Sequence, residues 1–589
     1  MIGELIKAAE RLRAESKLPP AGFKPKTPKW IINLENGVAH LQGPYGRDDL
    51  RTMPSPDRQR SGKPSTRNLK PYLLLDDARY VLGKPEPHKE GEAELLHAGF
   101  IALLTQARDA TGVQQLATVI DFLDSEEAAG IRAQVDAKDT IAFRVMGLNL
   151  TELLDIQKFW YDHLAKELVT DEVGECGACG RSHPILRTLP RELVVLGQKC
   201  QLSSFNKSAF TSYGKDQTTN SPLCFDCASQ AIDALDYLTR TEQHHRTIWF
   251  DPKASSLENQ LAIFWLNRET SFTVGEEVID VEAMLAAILD NHQTVTPQAT
   301  LSQVRAFLAT PWQANQAALL LDATQLCLGV ISANKGRMVI REWLNESLGQ
   351  VKANLSRYLD ATNIISPRGE AAHPFSIAAL LQSTKAKNPN FTRGLLRTAY
   401  LSHLPPVGLL PAAVNAFRNP NTLQNPKQDP KETWRLHALA SLFKLVLYFG
   451  TKEVNTMNEH DPNNRGPAYL CGTLLAILEE AQQKSHFIKH KSRLDTTIVN
   501  RFYGSVSTAP GVNFGGLIRL AATAHLPDVG KDINILVEDA MTKLDEVGGF
   551  PDTLTLAQQA EFGLGFYHQR AKFRADRPVK NKQTEGDQP

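Results

Sequence analysis

Two pairs of cysteines have the spacing of a metal site. Cys176 and Cys179 are separated by two residues, as are Cys224 and Cys227. Two intervening residues let both thiolates of a pair reach one tetrahedral ion from a tight turn. Four thiolates close the coordination sphere, which is the pattern of a structural rather than a catalytic ion. We therefore predict a structural zinc ion bound by these four cysteines.

The spacer between the two pairs is long, so other interpretations of the cysteines stay open. The four residues could be free thiols, His183 could replace one ligand, or Cys200, which lies between the pairs, could compete for the ion.

A catalytic zinc site is a further alternative. His88 and Glu90 precede Pro222 and the second cysteine pair, in the order that zinc deaminases use. That signature places proline directly before the first cysteine, whereas Leu223 intervenes here. Four thiolates also leave no open position for a reactive water. The sequence therefore favours a structural site over a deaminase.

Two local runs of basic residues indicate contact with a polyanion, although the chain as a whole carries 65 basic and 65 acidic residues. Segments 51–70 and 181–215 each hold six basic residues and one acidic residue. Lysine and arginine on exposed loops are what phosphate contacts require. A solvated loop without a partner is the alternative for either segment.

The segment 203–220 is rich in amides and hydroxyls and is punctuated by aromatic residues. Asparagine and glutamine can contact base edges, lysine can hold phosphate, and an aromatic ring can stack on or wedge between bases. A surface loop that satisfies its own turns is the common alternative. We refer to this segment as the recognition loop.

The elements that would position these residues form an α+β fold. Short strands are predicted at 29–34 and 72–75, with a long exposed loop between Gly43 and Lys70. A strand pair is predicted at 325–331 and 338–343, and residues 171–230 look irregular. From about residue 370 the apolar periodicity is helical.

This pattern predicts three parts. An α+β region that binds nucleic acid spans 1–370, with short sheets and the zinc segment at about 171–230. An all-α bundle spans 371–572, and a disordered tail spans 573–589.

The composition suggests a cytoplasmic protein. Seven cysteines in 589 residues are too few for a disulfide scaffold, and a reducing compartment suits them. The N-terminus reads as an amphipathic helix rather than a signal peptide, and no apolar run approaches a membrane span. We therefore expect no membrane contact.

Five stretches, in order along nearly the whole chain, resemble one family. They are 72–83 (YLLLDDARYVLG), 204–222 (SFNKSAFTSYGKDQTTNSP), 328–341 (LGVISANKGRMVIR), 501–510 (RFYGSVSTAP) and 561–570 (EFGLGFYHQR). The sequence resembles the large subunit of the type I-C CRISPR surveillance complex, Cascade. The four cysteines are a departure from that pattern, so the zinc prediction depends on their own spacing.

The resemblance implies a non-catalytic subunit that recognises the protospacer-adjacent motif in target double-stranded DNA and promotes strand opening for crRNA pairing. Guide pairing reads sequence in such systems, while protein reads the short adjacent motif. The implied partners are the crRNA, the Cascade backbone and small subunits, and a recruited helicase–nuclease that cleaves.

With this resemblance, particular residues are predicted to contact nucleic acid. In the recognition loop, base edges would be contacted by Asn206, Gln217 and Asn220. Phosphates would be contacted by Lys207 and Lys215. An aromatic support or wedge would come from Tyr213 or Phe210. The DNA or crRNA backbone would be contacted by Arg58, Arg60, Lys63 and Lys70.

The C-terminal helices resemble the small subunit that lines the displaced DNA strand. Met457 precedes a predicted all-helical segment and could be an internal start for a separate small subunit. The candidates for contact with single-stranded DNA are Lys484, Lys489, Lys491, Arg493 and Arg501. A solvated helix face explains these residues equally well.

Two competing functions remain at this stage. One is a zinc-containing nucleic-acid scaffold outside CRISPR defence, and the other is a zinc-dependent nuclease or deaminase. Chelator-sensitive activity of the isolated protein would favour the enzyme, whereas binding that needs guide RNA and partner subunits would favour the Cascade subunit.

Overall fold

The structure is a computed structural model, and the residues it describes are 1–46, 52–60, 63–66, 68–88, 90–205, 208–215, 217–249, 259–268, 271–274, 277–289, 304, 308, 324–334, 336–372, 374–386, 388–419, 423, 430–450, 457–492 and 494–577.

The chain divides into two compact units. Unit 1 comprises Met1–Glu242 and Ser332–Val339, and unit 2 comprises Gln243–Ile331 and Ile340–Pro589. The predicted boundary near residue 370 followed a change in secondary structure, which is a different criterion from compactness.

Unit 1 mixes helices and short strands. Its helices are α1 Ile2–Ala14, α2 Ala78–Val81, α3 Glu90–Thr111, α4 Gln114–Leu123, α5 Glu126–Gln134, α6 Leu154–Leu168 and α7 Phe225–Arg240. Its strands are β1 Phe23–Lys26, β2 Trp30–Glu35, β3 Val38–Gln42, β4 Met53–Pro56, β5 Leu75–Asp77, β6 Thr140–Val145, β7 Leu148–Asn149, β8 Val169–Glu175, β9 Ser182–Leu186, β10 Leu193–Val195 and β11 Gln198–Gln201.

The main sheet of unit 1 has the strand order β3-β2-β6-β5, with β7 paired to β6. β2 runs parallel to β6, and its other neighbour β3 is antiparallel. Every second residue of a strand faces the same side of a sheet, and the buried residues of β2 and β6 include Ile32 and Phe143. The α4 ring of Phe122 packs edge-on against Phe143, with 6.4 Å between ring centroids.

Unit 2 begins with strands and continues as helices. Its strands are β12 His245–Trp249, β13 Gln260–Leu266, β14 Ser271–Val274, β15 Glu277–Asp280, β16 Gln325–Asn334 and β17 Gly336–Ser347. Its helices are α8 Val281–Ala286, α9 Leu348–Thr362, α10 Ile377–Thr384, α11 Pro389–Leu401, α12 Leu409–Phe417, α13 Pro430–Gly450, α14 Pro467–His490, α15 Ile498–Val506, α16 Pro510–Ala524, α17 Lys531–Glu546 and α18 Leu556–Ala575. The tip of the β16–β17 pair belongs to unit 1.

The helices from α10 to α18 form what we call the helical region, residues 377–575. Its described elements are all helical, and one extended apolar core runs through it. α14 and α18 approach closely enough that a Cβ on Gly472 would lie 2.0 Å from the carbonyl oxygen of Phe562. A Cβ on Gly565 would lie 2.1 Å from the carbonyl oxygen of Tyr469. Glycine at both crossing points therefore permits backbone-to-backbone packing.

The predicted fold class is confirmed: a mixed N-terminal region with sheets and clustered cysteines precedes a helical C-terminal half. Some details were wrong. The predicted exposed loop 43–70 contains β4, and Met53 and Arg58 within it are buried. The strand predicted at 72–75 begins only at Leu75. α18 runs to Ala575, and the predicted tail from 578 onward lies outside the described residues.

Candidate nucleic-acid interface and its cysteine cluster

The four predicted cysteines meet at one point in unit 1. Their Sγ atoms all lie within 4.8 Å of one another. Cys176 and Cys179 occupy the turn between β8 and β9, whereas Cys224 is the N-cap of α7 and Cys227 lies in its first turn. Residues far apart in sequence thus supply one cluster, as the spacing predicted.

Backbone hydrogen bonds shape the first cysteine turn. The amide of Cys176 donates to the carbonyl of Arg181 at 3.0 Å, and the amide of Gly180 donates to the carbonyl of Cys176 at 2.8 Å. Gly180 has a φ of +68°, a left-handed conformation that glycine adopts without strain. The amide of Gly177 donates to the carbonyl of Pro222 at 2.8 Å and so joins this turn to the second pair.

The thiols of the cluster differ in acidity. Burial alone would raise the pKa of Cys176, but backbone amides, led by that of Cys224, lower the pKa to about 7. The amide of Arg181 lowers the pKa of Cys179, whereas burial raises the pKa values of Cys224 and Cys227. Two of the four thiols are therefore disposed to act as thiolates before any cation binds.

The donor set fits a structural metal ion. Three of the four cysteines are buried, all four offer sulfur, and together they complete a tetrahedral site. His183 and Cys200 are not part of this group of described residues. Cys200 is buried in β11, where desolvation raises its pKa to about 11.

The recognition loop emerges beside this cluster as a surface turn. Ser212 and Lys215 form an isolated β-bridge, in which the amide of Lys215 donates to the carbonyl of Ser212 at 2.9 Å. Tyr213, at the turn, is 100% exposed and has a φ of +51°. Lys215 is also exposed. The turn thus presents an aromatic ring and a cation to solvent.

Hydrogen bonds join the base of the recognition loop to the end of β9. The hydroxyl of Thr218 lies within hydrogen-bond distance of the carbonyls of Leu186 and Arg187. The amide of Leu186 donates to the carbonyl of Leu223 at 3.0 Å. Because Leu223 directly precedes Cys224, the cluster and the loop share the same anchoring backbone.

The side chain of Asn220, predicted to contact a base, has a partner within the loop. Its amide nitrogen donates to the carbonyl of Lys215 at 2.8 Å. This contact helps to hold the turn closed, and the base contact of Asn220 stays a prediction. Asn206 and Lys207 lie outside the described residues, and of Gln217 only the backbone, in the 3₁₀ helix Gln217–Asn220, is described.

A groove of about 580 Å³ lies between the β8–β9 hairpin and the recognition loop. Both signs of charge line it, from Glu172 and Glu175 on β8, from Arg187 directly after β9, and from Lys215 on the recognition loop. Arg187 is exposed. The only sequence signal for Arg187 was that it is one of the six basic residues of segment 181–215.

Arg337, at the start of β17, also lies beside the recognition loop. Its guanidinium is 4.4 Å from the centroid of the Phe210 ring, and Arg337 pairs with Gln201 in a parallel register. The sequence alone did not place this arginine in the site, because Phe210 lies 127 positions earlier in the chain. The motif 328–341 was the one signal.

The basic residues predicted in segment 51–70 have varied environments. Arg58 is buried, donates to Glu167 Oε2 at 2.7 Å and lies 5.5 Å from the ring centroid of Trp160. Arg60 pairs with Asp76, and its guanidinium stacks at 3.7 Å from the centroid of Tyr72. Both side chains therefore stabilise the fold of unit 1.

The two lysines of that segment are more accessible. Lys63 is exposed, and Lys70 is half-buried with its Nζ 3.6 Å from Glu167 Oε1. Lys63 is thus the better placed of the four predicted backbone contacts to reach a phosphate.

The candidate basic residues of the helical region lie on its surface. Lys484 is 4.0 Å from Glu480 Oε1, and Lys489 forms an ion pair with Asp528. Lys491, which ends α14, and Arg501 on α15 are exposed. Arg493 lies outside the described residues.

The chain matches a known protein family over nearly its whole length. Residues 5–574 match the family described as CRISPR-associated protein (Cas_Csd1). No curated protein matches the chain. In the part of the chain that the structure describes, none of the helices combines the length and the apolar character needed to cross a membrane.

Proposed function

The chain belongs to the Cas_Csd1 family, the large subunit of type I-C Cascade, and from that premise we propose that its recognition loop contacts the protospacer-adjacent motif in duplex DNA. The membership confirms the family predicted from the sequence motifs. One observation carries the proposal: a fully exposed aromatic residue, Tyr213, stands on a turn anchored at a cluster of four cysteines.

A rigid base suits a loop that must distort DNA. Unstacking a base step costs a few kcal/mol, so an aromatic wedge works only if the protein behind it does not yield. The hydrogen bonds of Thr218 and Asn220 and the cysteine cluster fix the loop close to the turn. We therefore assign Tyr213 to stacking or wedging at the edge of the motif.

The charges around the turn suit phosphate contacts. Lys215 and Arg187 are exposed, and Lys207 belongs to the same segment. Such contacts give affinity that falls with salt but carry no sequence information. Base contacts are assigned to Asn206 and Gln217, since amides can pair with base edges in either groove.

The predicted contacts of segment 51–70 are proposed in a narrower form. Arg58 and Arg60 have internal partners, so we assign them to holding the surface from which Lys63 and Lys70 reach the DNA or crRNA backbone.

We propose zinc as the ion of the cysteine cluster, with a structural function. Bound there, it would neutralise the thiolates and fix both cysteine turns. Four thiolates leave no site for an activated water, which supports a binding role without catalysis. If the isolated protein cleaved or deaminated nucleic acid in a chelator-sensitive way, the alternative enzyme would replace this proposal.

Within the complex we propose the partners that family membership implies. The crRNA, the backbone and small subunits and target DNA would assemble with this chain, and a recruited helicase–nuclease would cleave. We further propose that Met457, in the segment before α14, starts a separate small subunit. A purified complex without any C-terminal fragment would contradict that last point.

The test is duplex binding by the assembled complex across a panel of adjacent motifs at matched salt. Asn206→Ala and Gln217→Ala should reduce motif preference by about 5- to 150-fold, since a good base contact contributes about 1–3 kcal/mol of discrimination. Lys215→Ala should weaken binding to all motifs alike and make the salt dependence shallower by about one unit of slope.

Two matched variants control this experiment. Lys199 is exposed on β11 outside the recognition loop, so Lys199→Ala should leave DNA binding unchanged. Tyr213→Phe should retain the stacking that Tyr213→Ala loses. Unchanged motif preference in Asn206→Ala, Gln217→Ala and Tyr213→Ala would refute the proposal.

A further inference from the structure

A second groove, of about 540 Å³, lies at one end of the main sheet of unit 1. It is bordered by the β2–β3 turn at Asn36 and Gly37, the β6–β7 turn at Met146, and α4 with the start of α5. We call it the acidic groove, for the residues Asp121 and Glu127 that line it.

The sheet topology brings the two turns together. β2 and β6 run parallel with Leu34 beside Val145, so the carboxyl ends of both strands lie at the same end of the sheet. Asn36 and Gly37 have φ values of +51° and +78°, and Met146 also has a positive φ of +50°. Tight two-residue hairpin turns require this left-handed backbone. The amide of Met146 donates to the carbonyl of Leu34 at 3.0 Å and fixes one turn against the other strand.

Apolar side chains are exposed at the mouth of the groove. Met146 is 73% exposed and Val38 is 45% exposed, although the floor residues Phe122 and Val145 are buried. A methionine on a tight turn, where a polar residue would serve the fold equally well, suggests contact with a partner. Its floor is rigid, because Phe122 packs against Phe143 inside the unit.

The groove opens beside a strand edge. β3 is the last strand of its sheet among the described elements. The amide of Ala39 on β3 donates to Glu127 Oε2 at 3.3 Å instead of to another strand. An edge of this kind can accept an added strand, whose main chain bonds to the edge while alternate side chains enter neighbouring pockets.

The charge of the groove selects among partners. Of the described residues that line it, Asp121 and Glu127 carry the only formal charges. Asp121 is exposed at the rim. Phosphate groups would be repelled here, whereas a lysine or arginine beside an apolar side chain would find both complementary charge and apolar contact.

We propose that the acidic groove docks an extended segment of a neighbouring protein subunit, which adds to β3 as a strand and places a lysine or arginine between Asp121 and Glu127. The adjacent apolar side chain of that segment packs on Met146 and Val38. This surface is independent of the recognition loop and serves assembly rather than DNA reading.

Site-specific cross-linking tests which molecule occupies the groove. A photoreactive phenylalanine replaces Met146 in the full chain, and the complex is reconstituted from purified subunits and crRNA. Mass spectrometry should identify a cross-link to a protein segment that contains a basic residue. Cross-links to crRNA or DNA, to this chain's own residues, or to no molecule would overturn the proposal.

Charge reversal tests the electrostatic part. Asp121→Lys should reduce incorporation of the cross-linked subunit by about tenfold or more, because it places like charges in contact with the docked cation. Asp124→Lys makes the same change on an exposed residue outside the groove and should have no effect. Equal loss in both variants would overturn the proposal.

The two proposals can fail separately. Complexes that still assemble with Asp121→Lys should keep the motif preference of the wild-type protein, whereas variants of the recognition loop should keep full subunit incorporation.

Discussion

In the helical region, apolar burial and close helix packing hold the elements together, whereas in residues 169–227 a cluster of four cysteines and backbone hydrogen bonds add to a smaller set of buried apolar residues. We call residues 169–227 the cysteine segment. The helical region contributes to one extended core. The cysteine segment consists of strands of three to seven residues joined by turns, and its exposed residues include Val173 and Val194. Its buried apolar residues, which include Leu186, Leu193 and Leu223, are fewer than those of the helical region.

This difference suggests a division of work. A loop that contacts DNA must carry polar and charged residues, so it cannot be fixed by a core of its own. A metal ion fixes such a segment from a few ligands without demanding apolar neighbours. The helical region has no such restriction, and its stability should depend on packing and on a few buried charges.

Metal removal should separate the two regions most strongly. We expect Cys224→Ser, or a strong chelator, to abolish hydrogen-exchange protection in the cysteine segment, because structural zinc contributes about 10–16 kcal/mol in small peptides. Peptides from α14 and α18 should keep their protection. Metal analysis should find one ion per chain in the wild-type protein and none in the variant.

Cys200→Ala provides the control for metal removal, because Cys200 is buried in the same unit but outside the cluster. The variant should keep the ion, and its free energy of unfolding should fall only by what a small cavity costs. Loss of protection throughout the helical region after metal removal would contradict the division of work.

The next largest effect should arise at a buried ion pair in the helical region. Arg570 on α18 donates to Glu479 on α14 through Nε at 2.7 Å and through Nη2 at 2.9 Å. The hydroxyl of Thr497 donates to the same carboxylate at 2.7 Å. Glu479→Ala would leave the buried Arg570 charge without a counter-ion, with only the carbonyl of Leu423 as an acceptor at 3.3 Å, and the loss of a buried partner costs about 3–5 kcal/mol. Hydrogen exchange in α14 and α18 should report this loss.

Glu480→Ala is the matched control, one residue along α14. Glu480 pairs with the half-exposed Arg577 at 3.2 Å, and such a pair contributes about 0–1 kcal/mol. The cysteine segment should keep its protection in both variants. If the two substitutions had equal effects, the ion pair would not be the reason for the loss.

The same two regions show what the sequence could predict. Local rules sufficed for the cysteine cluster, because two C-x-x-C pairs are the ligand pattern of one four-thiolate site. They also sufficed for helices such as α14, where Pro467 begins an apolar periodic run. Residues 53–58 were assigned to an exposed loop because they are polar and rich in proline.

What makes those residues internal lies far away in the chain. Arg58 is buried because Glu167, 109 residues later, accepts its hydrogen bond. Arg337 reaches Phe210 only because β17 pairs with β11. Long-range pairing of this kind has no local signature. The sequence therefore predicted which residue types form the site better than it predicted which residues lie next to one another there.

The next effect should arise from helix packing. Alanine should destabilise the protein at one glycine and stabilise it at another. A Cβ on Gly472 would meet the backbone carbonyl of Phe562, which cannot move without shifting α18. Gly472→Ala should therefore destabilise the helical region by about 1–3 kcal/mol, as overpacking does. Exchange in α14 and α18 should measure it.

Gly504, in the middle of α15, has nothing within 4 Å of the corresponding Cβ position. Gly504→Ala should stabilise its helix by about 0.5–1 kcal/mol, because alanine loses less backbone freedom. Destabilisation by both substitutions would mean that helix contact does not explain the Gly472 effect.

The last prediction concerns pH and a buried histidine of the helical region. Burial, with the nearby charges of His460 and Lys444, lowers the pKa of His568 to about 3, and its Nδ1 lies 3.1 Å from the Tyr469 hydroxyl. The unfolded chain binds a proton near the usual histidine pKa of about 6.5, so folding becomes less favourable as pH falls below that value. At pH 5.5 the loss relative to pH 8 should be about 1.4 kcal/mol.

His568→Asn should remove the part of this pH dependence that His568 contributes, since its amide oxygen can still accept from Tyr469 but takes up no proton. The part from His460, whose pKa burial lowers to about 4, should remain. The slope of stability against pH between 7 and 5.5 should flatten in peptides of α14 and α18. Acid also protonates thiolates and releases the metal, so the cysteine segment should lose protection in that range whether or not His568 is present. An unaltered slope in His568→Asn would show that the helical region owes its acid sensitivity to other groups. If His568→Asn changed the acid response of the cysteine segment as well as that of the helical region, the two regions would not unfold independently.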